Sequence, residues 1–222
     1  GAGVPVCKHG NRAATSQCGT ADVLEALGVA IELDAAGVAQ CVAEVGMGFC
    51  FAPSFHPAFR HAGPSRREIG IPTAFNLLGP MANPAAVSFM MVGVGDPLMA
   101  STMAQVLATR GVRRAWVVHG HGGMDELSLS GSCSVTELRE GEVSTFEIDA
   151  ESFGLARAEV IAVRGGTPQH NAQVVREVLA GARGPIRDIV VFNAAAGLVV
   201  AGRAETMPEA IVVASASIDT GA

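Results

Sequence analysis

Apolar segments of two kinds alternate along this chain, and their alternation limits the folds that it can adopt. Short apolar runs at residues 46–52, 87–94 and 115–120 are typical of buried strands. Longer segments next to these runs carry apolar residues at helical spacing, as in residues 34–45 and 97–110. We therefore predict an α/β fold in which a mixed, mainly parallel central sheet is flanked by helices.

Two pieces near the middle of the chain have the pattern of a hairpin rather than of a parallel sheet. Residues 132–138 and 143–148 alternate polar and apolar side chains and are joined at Glu140-Gly141-Glu142. Further helices are predicted at residues 21–27, 171–179, 188–200 and 209–218. Because no repeat or linker interrupts the pattern, we expect residues 1–222 to form one domain, truncated at both ends.

Composition restricts the classes of partner. A net charge of −6 argues against nucleic acid, whose binders usually collect basic charge on one face. No apolar run approaches the roughly 20 residues of a membrane span, and no signal peptide pattern is present. The five cysteines are odd in number and form no C-x-x-C pair, so we expect free thiols in the cytoplasm rather than a zinc site or a catalytic cysteine.

The first candidate site is a basic turn at the start of the chain. Residues 6–16 (VCKHGNRAATS) run from a short apolar strand into cationic, amide and hydroxyl side chains, and a helix-like segment follows. Such a strand-to-helix turn can bind an anion through its side chains and its free N–H groups. The alternative is a basic, solvated loop whose hydroxyl groups cap the helix.

Two further clusters carry chemistry. In the segment Arg66-Arg67-Glu68, an arginine can hold a carboxylate through two parallel hydrogen bonds. The alternative is that these residues form an ion pair on a helix surface. The nearby His56 and His61 suit capping or packing roles. Asp125 and Glu126 follow a strand and a glycine-rich loop (HGHGGM), which suits Mg²⁺. An exposed acidic turn is the alternative, and His119 and His121 lack a third partner for zinc.

These segments together resemble anthranilate phosphoribosyltransferases. The resemblance is carried by KHGNRAA at residues 8–14 with ADVLEALG at 21–28, GFCFAP at 48–53 with FHP at 55–57, RRE at 66–68, FNLLGP at 75–80 with NP at 83–84, VVHG at 117–120 and DEL at 125–127. Residues 165–166, 171–172, 187–188 and 193–196 also fit, so the resemblance covers essentially the whole chain.

The family transfers phosphoribosyl from phosphoribosyl pyrophosphate to the amine of anthranilate and releases pyrophosphate, in tryptophan biosynthesis. The resemblance therefore implies these two substrates, Mg²⁺, and a full-length homodimer that binds neither nucleic acid nor a membrane. It also implies that a helical domain and a glycine-rich pyrophosphate loop belong upstream of Gly1, so we expect these 222 residues alone not to turn over at a normal rate.

The resemblance also implies the site residues. Phosphoribosyl pyrophosphate would contact Lys8, His9, Gly10, Asn11, Arg12, Ala13, Ala14, Thr15, Ser16 and Thr20. Anthranilate would meet His9, Asn11, Pro53, His56, Phe59 and Arg66, with Arg66 near its carboxylate. Mg²⁺ would be held by Asp125 and Glu126. No residue is assigned as a general base or nucleophile.

Three alternatives remain open on the sequence alone, one of which is a catalytically inactive fragment that only folds or associates. A pyrimidine nucleoside phosphorylase has a related Lys-His-Gly-Asn segment and would bind a nucleoside and phosphate. A nucleic-acid-binding homologue that has lost catalysis would show a basic groove, which the acidic composition disfavours.

Overall fold

The computed structural model describes residues 1–13, 17–61, 68 and 74–222, and they divide into two compact units. The larger unit comprises Gly1–Val4, Val87–Arg164 and Val175–Ala222. The smaller unit comprises Pro5–Ala86 and Gly165–Val174. The two units are described separately below.

The smaller unit is built on two parallel strands. Strand β1 (Val6–Gly10) pairs with β2 (Met47–Phe51) in a register that runs from Val6 opposite Met47 to Gly10 opposite Phe51. The chain between them forms helices α1 (Thr20–Ala26) and α2 (Ala35–Val45). Asp34 caps α2, because its carboxylate accepts a 2.8 Å hydrogen bond from the Gly37 N–H group.

After β2 the smaller unit continues through short helices. These are α3 (Ala52–Phe55), a 3₁₀ helix (Pro57–His61) and α4 (Ala74–Met81). The polar residues 58–68 have a helix-like pattern; the described part of that segment is 3₁₀ up to His61, and residues 62–67 lie outside the described chain. The core of this unit includes a cluster of buried side chains, namely Ala21, Ile31, Phe49 and Phe51.

The larger unit contains a four-stranded sheet in the order β3-β4-β5-β6. The strands are β3 (Phe89–Gly93), β4 (Arg114–His119), β5 (Cys133–Arg139) and β6 (Glu142–Ile148). Strands β3 and β4 are parallel, and the other two neighbouring pairs are antiparallel. The predicted hairpin is confirmed, with positive φ angles of 48° at Glu140 and 90° at Gly141 in its two-residue turn.

The predicted α/β class and the mixed sheet are confirmed, but the strands differ in arrangement from the prediction. In the described chain they form two sheets, in which two of the four strand pairs are parallel and two are antiparallel. The antiparallel β5–β6 pair follows from the predicted hairpin, since a two-residue turn joins only antiparallel strands. The difference therefore comes from β4 and β5, which also pair antiparallel, and from β1 and β2, which pair in a separate sheet.

Helices complete the larger unit and bury both faces of β4. They are α5 (Ala100–Thr109), which follows a 3₁₀ turn and packs on β4 and β5, the end of α6 (Pro168–Leu179), whose residues up to Val174 belong to the smaller unit, and α7 (Pro185–Val200) and α8 (Met207–Asp219). Trp116 and Val118 lie in one core cluster with side chains of α7. Ala115 and Val117 alternate with them along β4 and are also fully buried, so the opposite face is covered too.

Among the described residues, no helix combines the length and the apolar character that crossing a bilayer requires.

Candidate active site

The predicted site residues lie in both units, and four of them fall outside the described chain. These four are Ala14, Thr15, Ser16 and Arg66. The remaining residues form three groups, which are described in turn: a cationic strand end, an aromatic cluster and an acidic loop.

The cationic strand end comprises residues 8–12, where β1 finishes. Lys8 is exposed, and its Nζ donates a 3.2 Å hydrogen bond to the His9 carbonyl oxygen. Asn11 is also exposed, and its Oδ1 accepts a 2.8 Å bond from the Arg12 N–H group. The end of a parallel strand therefore presents cationic and amide side chains at the surface, as the sequence predicted.

Arg12 is engaged by carboxylates of α1. Its guanidinium donates two hydrogen bonds to Glu25, lies 3.6 Å from Asp22, and sits 5.4 Å from the ring centroid of Phe51. The hydrogen bond to Glu25 is the largest cause of a raised pKa for Arg12, and the charges of Glu25 and Asp22 add to it. A phosphate that binds Arg12 must therefore compete with Glu25.

Backbone N–H groups beside this strand end are bound internally as well. The Asp22 carboxylate accepts a 2.9 Å bond from the Ala13 N–H group and a 2.8 Å bond from the Gly19 N–H group. These two bonds are the main cause of a lowered pKa for Asp22. Thr20, the first residue of α1, is exposed.

The aromatic cluster brings together three residues that the resemblance assigns to anthranilate. The rings of His9 and His56 meet edge to face with centroids 5.0 Å apart, and His56 stacks on Phe59 with centroids 5.2 Å apart. His56 is fixed by a 3.0 Å hydrogen bond between its Nε2 and the Ala82 carbonyl oxygen. Pro53 is exposed in α3 of the same unit.

His9 is held in its neutral form. Burial is the largest cause of its lowered pKa, and the charges of His56 and Lys8 act in the same direction, against a hydrogen bond with the Gly79 backbone. Its Nε2 is buried and has no hydrogen-bond partner in the described part of the chain. His9 therefore presents a neutral aromatic ring beside the cationic strand end.

The acidic loop comprises residues 120–126 and begins where β4 ends. Gly120 and Met124 exchange backbone hydrogen bonds of 2.8 and 3.2 Å, which close a tight turn. Asp125 and Glu126 follow that turn and are exposed, whereas the next residue, Leu127, is fully buried. The carboxylates thus lie at the carboxyl edge of the parallel β3–β4 pair, where open α/β sheets bind their ligands.

Two glycines allow other backbone segments to approach the acidic pair closely. A Cβ atom at Gly93, the last residue of β3, would lie 1.4 Å from the Asp125 carbonyl oxygen. One at Gly120 would lie 2.1 Å from the Glu126 carbonyl oxygen. Any side chain at either position would displace the backbone that carries the carboxylates.

The electrostatics of the acidic pair suit a divalent cation. Burial is the largest cause of a raised pKa for Glu126, and the adjacent charge of Asp125 adds to it. Although the residue as a whole is exposed, its carboxylate therefore lies in a partly desolvated position. No group of three or more His, Cys, Asp or Glu side chains in the described chain is arranged to hold a metal. Two carboxylates are nevertheless a fitting donor set for Mg²⁺, which usually takes its other ligands from water and substrate phosphates.

Two asparagines support these groups, and reasoning from residue types gave neither of them a role. Asn83 donates a 2.9 Å bond from Nδ2 to the Cys7 carbonyl oxygen in β1, one residue before Lys8. Asn193 in α7 bonds both backbone groups of Leu127, one residue after Glu126. Both residues lie in segments that carry the family resemblance, which was their only signal in the sequence.

Comparisons with a family model and with individual known proteins point to the same family. The whole chain, residues 1–222, matches the family described as glycosyl transferase family, a/b domain. It is 53% identical over 222 residues to an anthranilate phosphoribosyltransferase of Azorhizobium caulinodans. It spans less than two thirds of the length of such relatives, 64% in that case.

Solved structures agree with this relationship. The crystal structure of anthranilate phosphoribosyltransferase from Thermus thermophilus superposes with a TM-score of 0.93 at 43% identity, over 99% of this chain and 65% of that one. The enzyme from Saccharomyces cerevisiae in complex with PRPP and Mg gives a TM-score of 0.87 at 30% identity, over 97% of this chain and 61% of that one. The resemblance inferred from the sequence motifs is confirmed, and the chain belongs to the glycosyl transferase family as its α/β domain.

Proposed function

We propose that this chain is the substrate-binding α/β part of an anthranilate phosphoribosyltransferase, which transfers phosphoribosyl from phosphoribosyl pyrophosphate to anthranilate with Mg²⁺. The observation that carries the proposal is the His9–His56–Phe59 cluster beside Lys8. An aromatic surface next to a cation offers contacts to two ligands together, an aromatic acid and a phosphorylated sugar. It matches this pair better than it matches either ligand by itself.

The reaction requires charge stabilisation more than proton transfer. Departure of pyrophosphate builds positive charge on the anomeric carbon and negative charge on the leaving group. Lys8 would bind the leaving phosphates as a point charge. Asp125 and Glu126 would hold Mg²⁺, which supplies positive charge when bound.

The acceptor needs orientation rather than activation. The amine of anthranilate is uncharged and attacks once it is positioned, so no general base is assigned. The neutral ring of His9, together with His56, Phe59 and Pro53, would form the wall along which anthranilate lies. Asn11 would contact both substrates, and Arg66, outside the described residues, would bind the anthranilate carboxylate.

The remaining predictions concern the setting of the enzyme. We propose a cytoplasmic protein, because all five cysteines are free thiols. A homodimer of the full-length protein that binds neither nucleic acid nor a membrane is likewise a prediction from the family resemblance.

Steady-state kinetics of the full-length protein that carries this chain test the proposal. Anthranilate should be consumed only with phosphoribosyl pyrophosphate and Mg²⁺, and excess EDTA should abolish the reaction. Phe59→Ala should raise the KM for anthranilate about 2- to 10-fold, as expected for a lost ring contact of about 0.5–1.5 kcal/mol, and leave the KM for phosphoribosyl pyrophosphate nearly unchanged.

A matched control is available in the larger unit. Phe89 is 39% exposed, close to the 41% of Phe59, and Phe89→Ala should leave both KM values unchanged. Phosphorolysis of a pyrimidine nucleoside, without turnover of phosphoribosyl pyrophosphate, would replace the proposal by the phosphorylase alternative.

A further inference from the structure

Asn193 makes three hydrogen bonds with its side-chain amide. Its Oδ1 accepts a 2.9 Å bond from the Leu127 N–H group, and its Nδ2 donates to the carbonyl oxygens of Leu127 at 2.8 Å and Ile189 at 3.0 Å. The partners fix the orientation of the amide, because a flipped amide would oppose N–H to N–H and oxygen to two oxygens. Asn193 therefore joins α7 to the residue that follows the acidic pair.

The bond to the Leu127 N–H group holds the peptide unit that joins Glu126 to Leu127. The carbonyl oxygen of that unit belongs to Glu126 and lies against the Cα atom of Gly120. The peptide plane is thus held at its N–H end by a hydrogen bond and at its oxygen end by close packing. Since a peptide unit is planar, holding both ends fixes its orientation.

The preceding peptide unit is packed in the same way. Its carbonyl oxygen belongs to Asp125 and lies against Gly93 of β3, where no side chain would fit. Both peptide units that flank Glu126 therefore have fixed orientations, which fixes the direction in which its side chain leaves the backbone and constrains that of Asp125, which shares one of the two units.

We propose that Asn193 is a positioning residue, which orients the carboxylates of Asp125 and Glu126 for a divalent cation by clamping the backbone of Leu127. The inference rests on the proposed function, which assigns Mg²⁺ to this pair. Groups that orient the ligands of a metal site typically contribute about 10- to 100-fold to its affinity.

Two substitutions separate positioning from stability. Asn193→Leu removes the three hydrogen bonds and keeps the branched shape and the number of heavy atoms of the side chain. Val191→Ala, two residues earlier in α7, removes core volume from a fully buried side chain and keeps the clamp. Both variants should lower the midpoint of thermal unfolding, because one leaves backbone groups unpaired and the other leaves a cavity.

Metal affinity is measured with Mn²⁺ as the probe, from the loss of the free-ion EPR signal on titration into the full-length protein. We expect Asn193→Leu to weaken Mn²⁺ binding about tenfold, and Val191→Ala to leave it unchanged. In kinetics, Asn193→Leu should raise the KM for phosphoribosyl pyrophosphate and the Mg²⁺ concentration for half-maximal rate, without changing the KM for anthranilate.

A measurement on the unmutated protein does not depend on how the variants fold. If the clamp and the metal act on the same backbone, saturating Mg²⁺ should slow amide hydrogen exchange at Leu127, by the reciprocity of linked equilibria. Unchanged exchange at Leu127, or equal losses of Mn²⁺ affinity in the two variants, would overturn the inference alone. Failure of the unmutated protein to bind Mn²⁺ would overturn the proposed metal site and the inference with it.

Discussion

The acidic loop and the cationic strand end are both short polar segments at the ends of parallel strands, but they are held in different ways. The acidic loop leads directly into Leu127 and a core cluster that includes most of the buried side chains of α7. Its backbone lies against two glycines and is bonded by Asn193. The cationic strand end belongs to the unit whose core includes the smaller cluster of Ala21, Ile31, Phe49 and Phe51.

The polar contacts differ as well. Asp125 and Glu126 are exposed as whole residues, although the Glu126 carboxylate is partly desolvated, and the backbone that carries them is fixed. At the cationic strand end, Arg12 and the Ala13 N–H group are already bonded to carboxylates of α1. The comparison indicates that the backbone of the acidic loop is already fixed, whereas a phosphate that bound at the strand end would have to displace Glu25 or Asp22 from those groups.

The largest expected effect concerns the two cores. Phe192 in α7 is fully buried in the large cluster, so Phe192→Ala should destabilise the protein by about 4–5 kcal/mol. Phe49→Ala, at a residue 6% exposed in the smaller cluster, should cost about 3 kcal/mol, because a small cluster relaxes more easily around a cavity.

Urea unfolding of both variants measures this difference. Val212→Ala is the control, since Val212 is 68% exposed on α8 and its loss should change stability by less than about 0.5 kcal/mol. Equal costs at Phe192 and Phe49 would break the distinction drawn between the two cores.

An intermediate effect is expected at the asparagine that supports the cationic strand end. Asn83→Ala removes the bond to the Cys7 carbonyl oxygen and the 2.9 Å bond from the Ala85 N–H group to Oδ1. We expect a loss of about 1–2 kcal/mol and faster hydrogen exchange in β1. Exchange at Leu127 is the internal reference, and a change there as large as in β1 would contradict a local role for Asn83.

The smallest effect is a dependence on pH that arises at His9. The pKa of His9 is lower in the folded protein than its ordinary value, so the unfolded chain binds more protons at mildly acidic pH. The contribution of His9 to the free energy of unfolding is therefore fully present well above pH 6.5. It falls as the pH drops through 6.5 towards the pKa of His9 in the folded protein.

Thermal unfolding between about pH 8 and pH 5.5 checks this prediction. The midpoint of His9→Asn should fall less over that range than the midpoint of the unmutated protein. His170→Asn, at an exposed histidine, should leave the original dependence unchanged. A steeper dependence in His9→Asn would show that the sign is wrong.

Local patterns accounted for most of the secondary structure. Helix α2 with its Asp34 cap, the β5–β6 hairpin and helix α8 appear within a few residues of their predicted positions, because caps, turn residues and apolar periodicity act over short distances. The balance of parallel and antiparallel strands was less predictable. Pairing depends on which strands meet after folding, and a strand pattern does not specify its neighbour.

The sequence by itself determined the α/β class, the family and the identity of Asp125, Glu126, Lys8 and the aromatic residues as site candidates. Only the tertiary structure brought His9 to His56 and Phe59, paired Arg12 with Glu25, and joined Asn193 to Leu127, residues that are 66 positions apart. The physical reason is that charge and aromatic character belong to single residues. A hydrogen bond or a ring contact exists only after folding has brought distant segments together.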